Sequence, residues 1–148
     1  MLQWKNNMPP NQDIGLTHVA LMVTDPEASI AFYEKYAAMR IVHRRVDAST
    51  HRTVVWLNDQ TRPFVIVLIE TDRVDMPLRP AAHLGVGCHS REEVEHLCRE
   101  AVSDGCLHSG PTDSGYPVGY WAFLLDPDSN TLEISYGQEI ALTVAKSN

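Results

Sequence analysis

Cysteine is scarce in this chain. Cys88, Cys98 and Cys106 are odd in number and show no Cys-x-x-Cys spacing, so they read as reduced thiols of a cytoplasmic protein rather than as a disulfide framework. Basic residues are also in short supply: 12 Lys and Arg stand against 19 Asp and Glu, a net charge of −7. A phosphate-backbone binder needs a basic footprint, so nucleic acid is not an expected partner. Long apolar runs are missing as well. The longest, Phe64 to Ile69, falls far short of the roughly 20 residues that cross a bilayer. Met1 to Pro10 is polar and proline-ended, without the apolar stretch of a signal peptide. The expected partner is therefore a small molecule, and the expected location the cytoplasm. With 148 residues, the chain suits a single domain that buries roughly two-thirds of its unfolded surface.

What the chain does contain is a repeat. Leu16-Thr17-His18-Val19-Ala20-Leu21-Met22-Val23 leads into Thr24-Asp25-Pro26 and a helical pattern. Ala81-Ala82-His83-Leu84-Gly85-Val86-Gly87-Cys88 leads into Ser90-Arg91-Glu92-Glu93 and a second one. Each unit opens with a histidine on an apolar strand and follows it with a capped amphipathic helix. A repeat of this length dictates architecture.

Asp25 predicts an N-cap with Pro26 at the first helical position, where its missing N–H costs nothing. Ile30, Phe32, Tyr33, Tyr36 and Ala37 then give an apolar stripe at helical spacing. Strands are expected near 39–46, 53–57 and 64–69, the last two joined by a turn around Asn58-Asp59-Gln60-Thr61. Residues 71–80, charged and holding Pro77 and Pro80, suit a linker. In the second unit Ser90 and Glu93 form a capping box, Val94, Leu97, Cys98, Ala101 and Val102 a buried face, and Gly105 a helix stop. Strands are expected near 106–109, 120–125 and 131–136, with a turn at Asp126-Pro127-Asp128-Ser129. Three glycines and two prolines make Gly110–Gly119 read as a mobile loop. The fold class is α+β: two tandem βαβββ modules, about 15–71 and 81–137, forming a cupped mixed sheet with helices outside. Residues 1–14 read as an N-terminal arm and 138–148 as a C-terminal tail.

Taken singly, a strand histidine is more often structural than a ligand. His18 and His83 are a matched pair, and the second unit offers a third donor in Glu133, set between the apolar Leu132 and Ile134. A carboxylate among apolar neighbours risks desolvation unless it meets a partner or a metal. Two histidines and one carboxylate form a facial set with open positions, suited to Fe, Mn, Ni, Co or Zn. His51, opening a strand of the first unit, is a candidate general base. Tyr120, with Tyr116 and Trp121, flanks the glycine-rich loop and is a candidate for closing over substrate. His43, His89, His96 and His108 have no companion at ligand spacing. Arg40, Arg44 and Arg45 read as a charged strand edge that discourages aggregation, or as a contact for an anionic substrate.

The segments Thr17-His18-Val19-Ala20-Leu21, Ala82-His83-Leu84-Gly85-Val86 and Asp126-Pro127-Asp128-Ser129-Asn130-Thr131-Leu132-Glu133 resemble the vicinal oxygen chelate superfamily. That family holds glyoxalase I, extradiol dioxygenases, methylmalonyl-CoA epimerase, fosfomycin-resistance thiol transferases and bleomycin-binding proteins. The resemblance implies one glyoxalase/bleomycin resistance/dioxygenase-like domain over 15–137, a divalent metal on His18, His83 and Glu133, and a homodimer. It implies an enzyme acting on a small substrate chelated through vicinal oxygens, by lyase/isomerase or ring-cleaving dioxygenase-like chemistry. The alternative is a non-catalytic, bleomycin-resistance-type binding protein. One departure stands out. Glyoxalase I and the epimerase carry a fourth ligand on the last strand of the first module, where this chain has Val65 and Val67, with Glu70 displaced beyond them.

Overall fold

The computed structural model describes residues 13–79 and 81–147, and the chain divides into two compact units, Met1–Asp75 and Met76–Asn148. The expected N-terminal arm lies almost wholly outside the described residues. The architecture is α+β, with a four-stranded mixed sheet in each unit.

In the first unit, strand β1 (His18–Val23) leads to helix α1 (Pro26–Ala37). The Asp25 carboxylate accepts from the Glu27 and Ala28 N–H groups, and Ala38 ends the helix in the left-handed region. The expected stripe is the buried one: Ile30, Phe32, Tyr33, Tyr36 and Ala37 all leave solvent. Strands β2 (Arg40–Val46), β3 (Thr53–Asn58) and β4 (Val65–Glu70) follow. Their order in the sheet is β1-β4-β3-β2, with β1 and β4 parallel and the other pairs antiparallel. A parallel pair needs a crossover, and α1 is the element that allows it. Leu21, Val23, Val55, Leu57, Ile66 and Leu68 face the helix and form the core. Side chains alternate along a strand, so His18, Ala20, Val65, Val67, Val54 and Trp56 share the opposite, concave face.

The second unit repeats the plan. Strand β5 (Leu84–Gly87), helix α2 (Arg91–Asp104), and strands β6 (Leu107–Asp113), β7 (Tyr120–Leu125) and β8 (Thr131–Tyr136) give the order β5-β8-β7-β6. Ser90 Oγ accepts from the Glu93 N–H at 3.1 Å, and Glu93 reaches back to the His89 N–H at 2.5 Å, one residue earlier than a standard capping box. Gly105 closes α2 at φ +72°.

Several expectations are corrected. Val102 is 64% exposed and lies outside the buried face of α2, which consists of Val94, Cys98 and Ala101. Gly110–Gly119 is no open loop: β6 runs to Asp113, with Thr112 opposite Trp121 and Asp113 opposite Tyr120. Its tip is closed by the Ser114 N–H on the Gly119 carbonyl and the Gly119 N–H on the Gly115 carbonyl. The expected tail contains a short helix, α3 (Ile140–Lys146).

The Asp126–Asn130 turn is a structural knot. Asp126 Oδ1 accepts from the N–H groups of Asp128 and Asn130, and the Asn130 amide donates to Asp126 Oδ2 at 3.0 Å. Asn130 Oδ1 then takes the Leu78 N–H at 2.9 Å, while the Thr131 N–H goes to the Leu78 carbonyl. Buried polar groups must be paired, and here each satisfies another while fixing where β8 begins.

Candidate functional site

In the second unit the fold brings two of the three candidate ligands together. Phe123 and Gly85 lie opposite Glu133 on the flanking strands, so Glu133 emerges on the concave face. His83 precedes β5 by one residue and shares that face, its ring 5.2 Å from that of Phe123. His83 Nε2 and Glu133 Oε2 stand 3.6 Å apart, too far for a hydrogen bond and close enough to share a cation.

Both side chains are held from behind. His83 Nδ1 lies 2.7 Å from the Ala81 carbonyl, which can only accept, so Nδ1 is the donor there and, in the neutral ring, Nε2 is the nitrogen with the lone pair. The carboxylate of Glu133, 8% exposed, receives the Gln138 amide on Oε1 at 2.6 Å, leaving Oε2 turned to His83. Among the described residues no Lys or Arg pairs with it. Two electron-pair donors stand side by side, each with its other polar atom fixed, and are the residues here that could hold a divalent ion. The donor set fits a transition metal.

Gln138 escapes sequence reasoning because a glutamine just past a strand carries no ligand pattern. Its position comes from the β6–β7 hairpin tip, which presses on the exit of β8. A side chain at Gly119 (φ +81°) would come within 2.4 Å of the Tyr136 carbonyl oxygen, and the Glu139 N–H reaches the Pro117 carbonyl. The glycine- and proline-rich segment therefore buttresses the residue that holds Glu133.

His18 stands in the first unit at the start of β1, exposed, with Nδ1 2.9 Å from the Thr17 hydroxyl. It lines a cavity of about 1030 Å³ on the concave face of that unit. Val65 lies directly opposite His18, and Val67 opposite Ala20, so the places where a fourth ligand is expected are apolar. Glu70 has the opposite parity and sits at the far end of β4, where it accepts from the Thr53 N–H at 2.7 Å. That bond holds its carboxyl below the ordinary carboxylate range. Among the described residues, no group of three or more His, Cys, Asp or Glu side chains is arranged to hold a metal ion.

The two other candidates stand elsewhere. His51 lies in the β2–β3 turn at φ 57°, at the end of the sheet opposite His18, which removes it from His18's surroundings. Tyr120 is buried on the helix side of β7, with opposite parity to Phe123. Its hydroxyl donates to Glu95 at 3.2 Å and its ring lies under the Arg91 guanidinium at 3.9 Å. Burial, with the nearby Glu95 carboxylate, pushes its phenol above the ordinary range. A group so fixed under α2 stabilises the helix docking and does not face Glu133. Trp121 instead donates to the Ser114 hydroxyl and packs against Phe123. His43, read from sequence as having no companion at ligand spacing and as solvent-facing or structural, rests at a 56° tilt against Trp56 in the first-unit cavity, their ring centroids 4.8 Å apart.

Comparison with known proteins gives a consistent result. A family model described as the Glyoxalase/Bleomycin resistance protein/Dioxygenase superfamily matches residues 15–134. The uncharacterized protein PA2024 of Pseudomonas aeruginosa is 39% identical over 128 residues, covering 84% of this chain and 90% of that protein. Among solved structures, a variant of the fosfomycin resistance protein FosX from Listeria monocytogenes, complexed with Mn(II) and 1S,2S-dihydroxypropylphosphonic acid, is similar at a TM-score of 0.69. It is 16% identical, and the match covers 90% of this chain and 99% of that one. A possible glyoxalase from Bacillus cereus gives a TM-score of 0.64 at 22% identity, covering 83% of this chain and 99% of that one. At these identities the structural likeness concerns the fold.

Proposed function

This chain belongs to the Glyoxalase/Bleomycin resistance protein/Dioxygenase superfamily, and on that premise we propose that it is a divalent-metal-dependent enzyme whose small substrate chelates the ion through vicinal oxygens. His83 and Glu133 hold the metal, with His18 as the third protein ligand. The reading includes a homodimer, which the acidic balance, the short linker and the family resemblance support. The observation that carries it is the 3.6 Å approach of His83 Nε2 to a buried Glu133 carboxylate whose other oxygen is already bonded.

When bound, the metal supplies Lewis acidity and a template for two substrate oxygens. The rest falls to the chain. The Ala81 carbonyl keeps the His83 proton on Nδ1, and Gln138 orients the Glu133 carboxylate. Val65 and Val67 place no carboxylate where a fourth ligand would move a proton. That leaves an open coordination position and weighs against a glyoxalase I-type isomerisation. Val67 and Phe123 likewise stand where extradiol enzymes carry an acid/base histidine and a tyrosine, so lyase/isomerase and ring-cleaving dioxygenase-like turnover both stay within the proposal. Fe, Mn, Ni, Co and Zn all suit the donor set.

The test is metal analysis of protein purified without chelator or metal-affinity tag, with His83→Ala alongside. Near-stoichiometric transition metal, lost in the variant, is the expected result. No metal as purified and none after reconstitution would overturn the reading in favour of a metal-free binding protein. Size measurement at several concentrations checks the dimer.

A further inference from the structure

Besides His18, the cavity on the concave face of the first unit is lined by Asp13, Thr17 and His43, and the remaining polar residues at its two ends are bonded to their neighbours. At the His18 end, Asn58 Nδ2 donates to the carbonyls of Arg62 and Phe64, and Asn58 Oδ1 accepts from the Gln60 backbone and side-chain amides. At the other end, Asp47 gathers the Ser49 and Thr50 hydroxyls on Oδ1 and the Arg45 guanidinium on Oδ2. The one arginine lining the cavity is thus neutralised by its neighbour.

Between these ends the surface is hydrocarbon and aromatic. Val65, Val67 and Ile69 run along β4, a span of about 13 Å at the usual strand rise. Trp56 lies opposite Val67, stays 39% exposed and is braced from the side by His43. An exposed tryptophan braced in a cavity of about 1030 Å³ is a flat surface awaiting a flat partner.

We propose that this strip binds the body of the substrate, and that the body is uncharged, apolar and ring-bearing, on the order of two fused rings long. Its oxygen-bearing head lies at the His18 end and its body over Val67 and Trp56. Away from the metal the strip holds no free cation, so a charged body laid over Val67 and Trp56 would be costly to bury. The inference rests on the metal reading for the placement of the head, while the strip itself is independent of it.

The experiment uses the full chain with and without Mn(II), titrated with naphthalene-2,3-diol, catechol, the non-chelating 2-naphthol and 1S,2S-dihydroxypropylphosphonic acid. Binding is read by calorimetry and by tryptophan quenching. The diol of the larger ring system is expected to bind the Mn(II) form about tenfold more tightly than catechol, which is the return on burying one further ring. The phosphonate, which has no ring to lay on the strip, is expected to bind the Mn(II) form with an affinity that Trp56→Ala leaves unchanged. Trp56→Ala should remove that tenfold advantage and leave Mn(II) affinity unchanged. Val67→Thr, which keeps shape and adds a hydroxyl, should reduce it in the same direction and guards against a misfolded first variant. Equal affinity for catechol and naphthalene-2,3-diol, or an advantage that survives in both variants, would overturn the proposal. If Mn(II) is not held, yet 2-naphthol binds and loses affinity in Trp56→Ala, the strip stands and the metal reading fails. No binding of either naphthol, together with a changed oligomeric state in Trp56→Ala, would mean that protein covers this face and would overturn the proposal.

Discussion

The two units share one plan and differ in what they place at the same point of it. Counting from each histidine, Ala20 corresponds to Gly85 and the residues opposite them are Val67 and Glu133. The neighbours across the next strand are Trp56 and Phe123. One register position thus carries hydrocarbon in the first unit and a carboxylate in the second. The carboxylate is supported by Gln138 and stands beside His83, whereas the valine stands beside Trp56 on an open apolar strip. The same backbone thus carries the proposed metal ligand in one case and the proposed apolar strip in the other. Backbone hydrogen bonding fixes the ladder and leaves the side chains on its concave face free to diverge.

The contrast is broken most completely by removing the carboxylate. Glu133→Ala should abolish retention of metal through purification, while Val67→Ala should retain it, both read by elemental analysis. Loss of metal from both would show that the positions are not functionally distinct. A second comparison concerns what the units share. Ile66 and Leu132 occupy equivalent buried positions on β4 and β8, and each truncation to alanine should cost about 2–5 kcal/mol in denaturant unfolding. A cost in only one of them would show that the units are unequal as cores.

Gln138→Ala tests the support behind the carboxylate. Mn(II) affinity by calorimetry should fall about 10- to 100-fold, with circular dichroism unchanged. Smaller effects should separate the units by pH. In the first unit, hydrogen bonds from Ser49, Arg45 and Thr50 hold Asp47 well below the ordinary carboxylate range, and the bonds from Thr53 and Arg52 lower Glu70 and Asp72. In the second unit the Gly115 N–H and Arg91 do the same for Asp113. Each has a folded pKa below its unfolded one, so its contribution is complete above about pH 4–5 and declines as pH falls toward the folded values. The urea midpoint should therefore drop between pH 6 and pH 3, and less steeply in Asp47→Asn. The smallest effect concerns Cys88, whose thiol burial pushes up to about 11. At pH 8 it should react with iodoacetamide more slowly than a free thiol, and mass spectrometry of the labelled chain would show it.

Much of this was legible before folding. The cap at Asp25, the stripe Ile30–Ala37, the stop at Gly105 and the placing of most strands follow from short-range chemistry that a linear pattern records, while β6 runs on through the glycine-rich segment to Asp113. The prominence of His18, His83 and Glu133 came from repetition and from a carboxylate in apolar company. Other features were hidden. Tyr120 looked available because it flanks a glycine-rich segment, yet strand parity turns it under α2 toward Arg91 and Glu95. His43 looked solitary because its partner, Trp56, is thirteen residues away on the next strand, and only pairing brings the rings together. Val102 fits the helical stripe by spacing, yet it stays 64% exposed while Val94, Cys98 and Ala101 are buried.

By itself, then, the sequence determined the elements of the two modules (though not helix α3), their order and the two matched histidines, because capping, periodicity and turn chemistry act within a few residues. Only the tertiary structure decided that Glu133 meets His83, that Gln138 stands behind it and that Val67 lies on a self-satisfied apolar strip. Those outcomes depend on register between strands distant in sequence, and a one-residue shift would turn every one of these side chains to the other face.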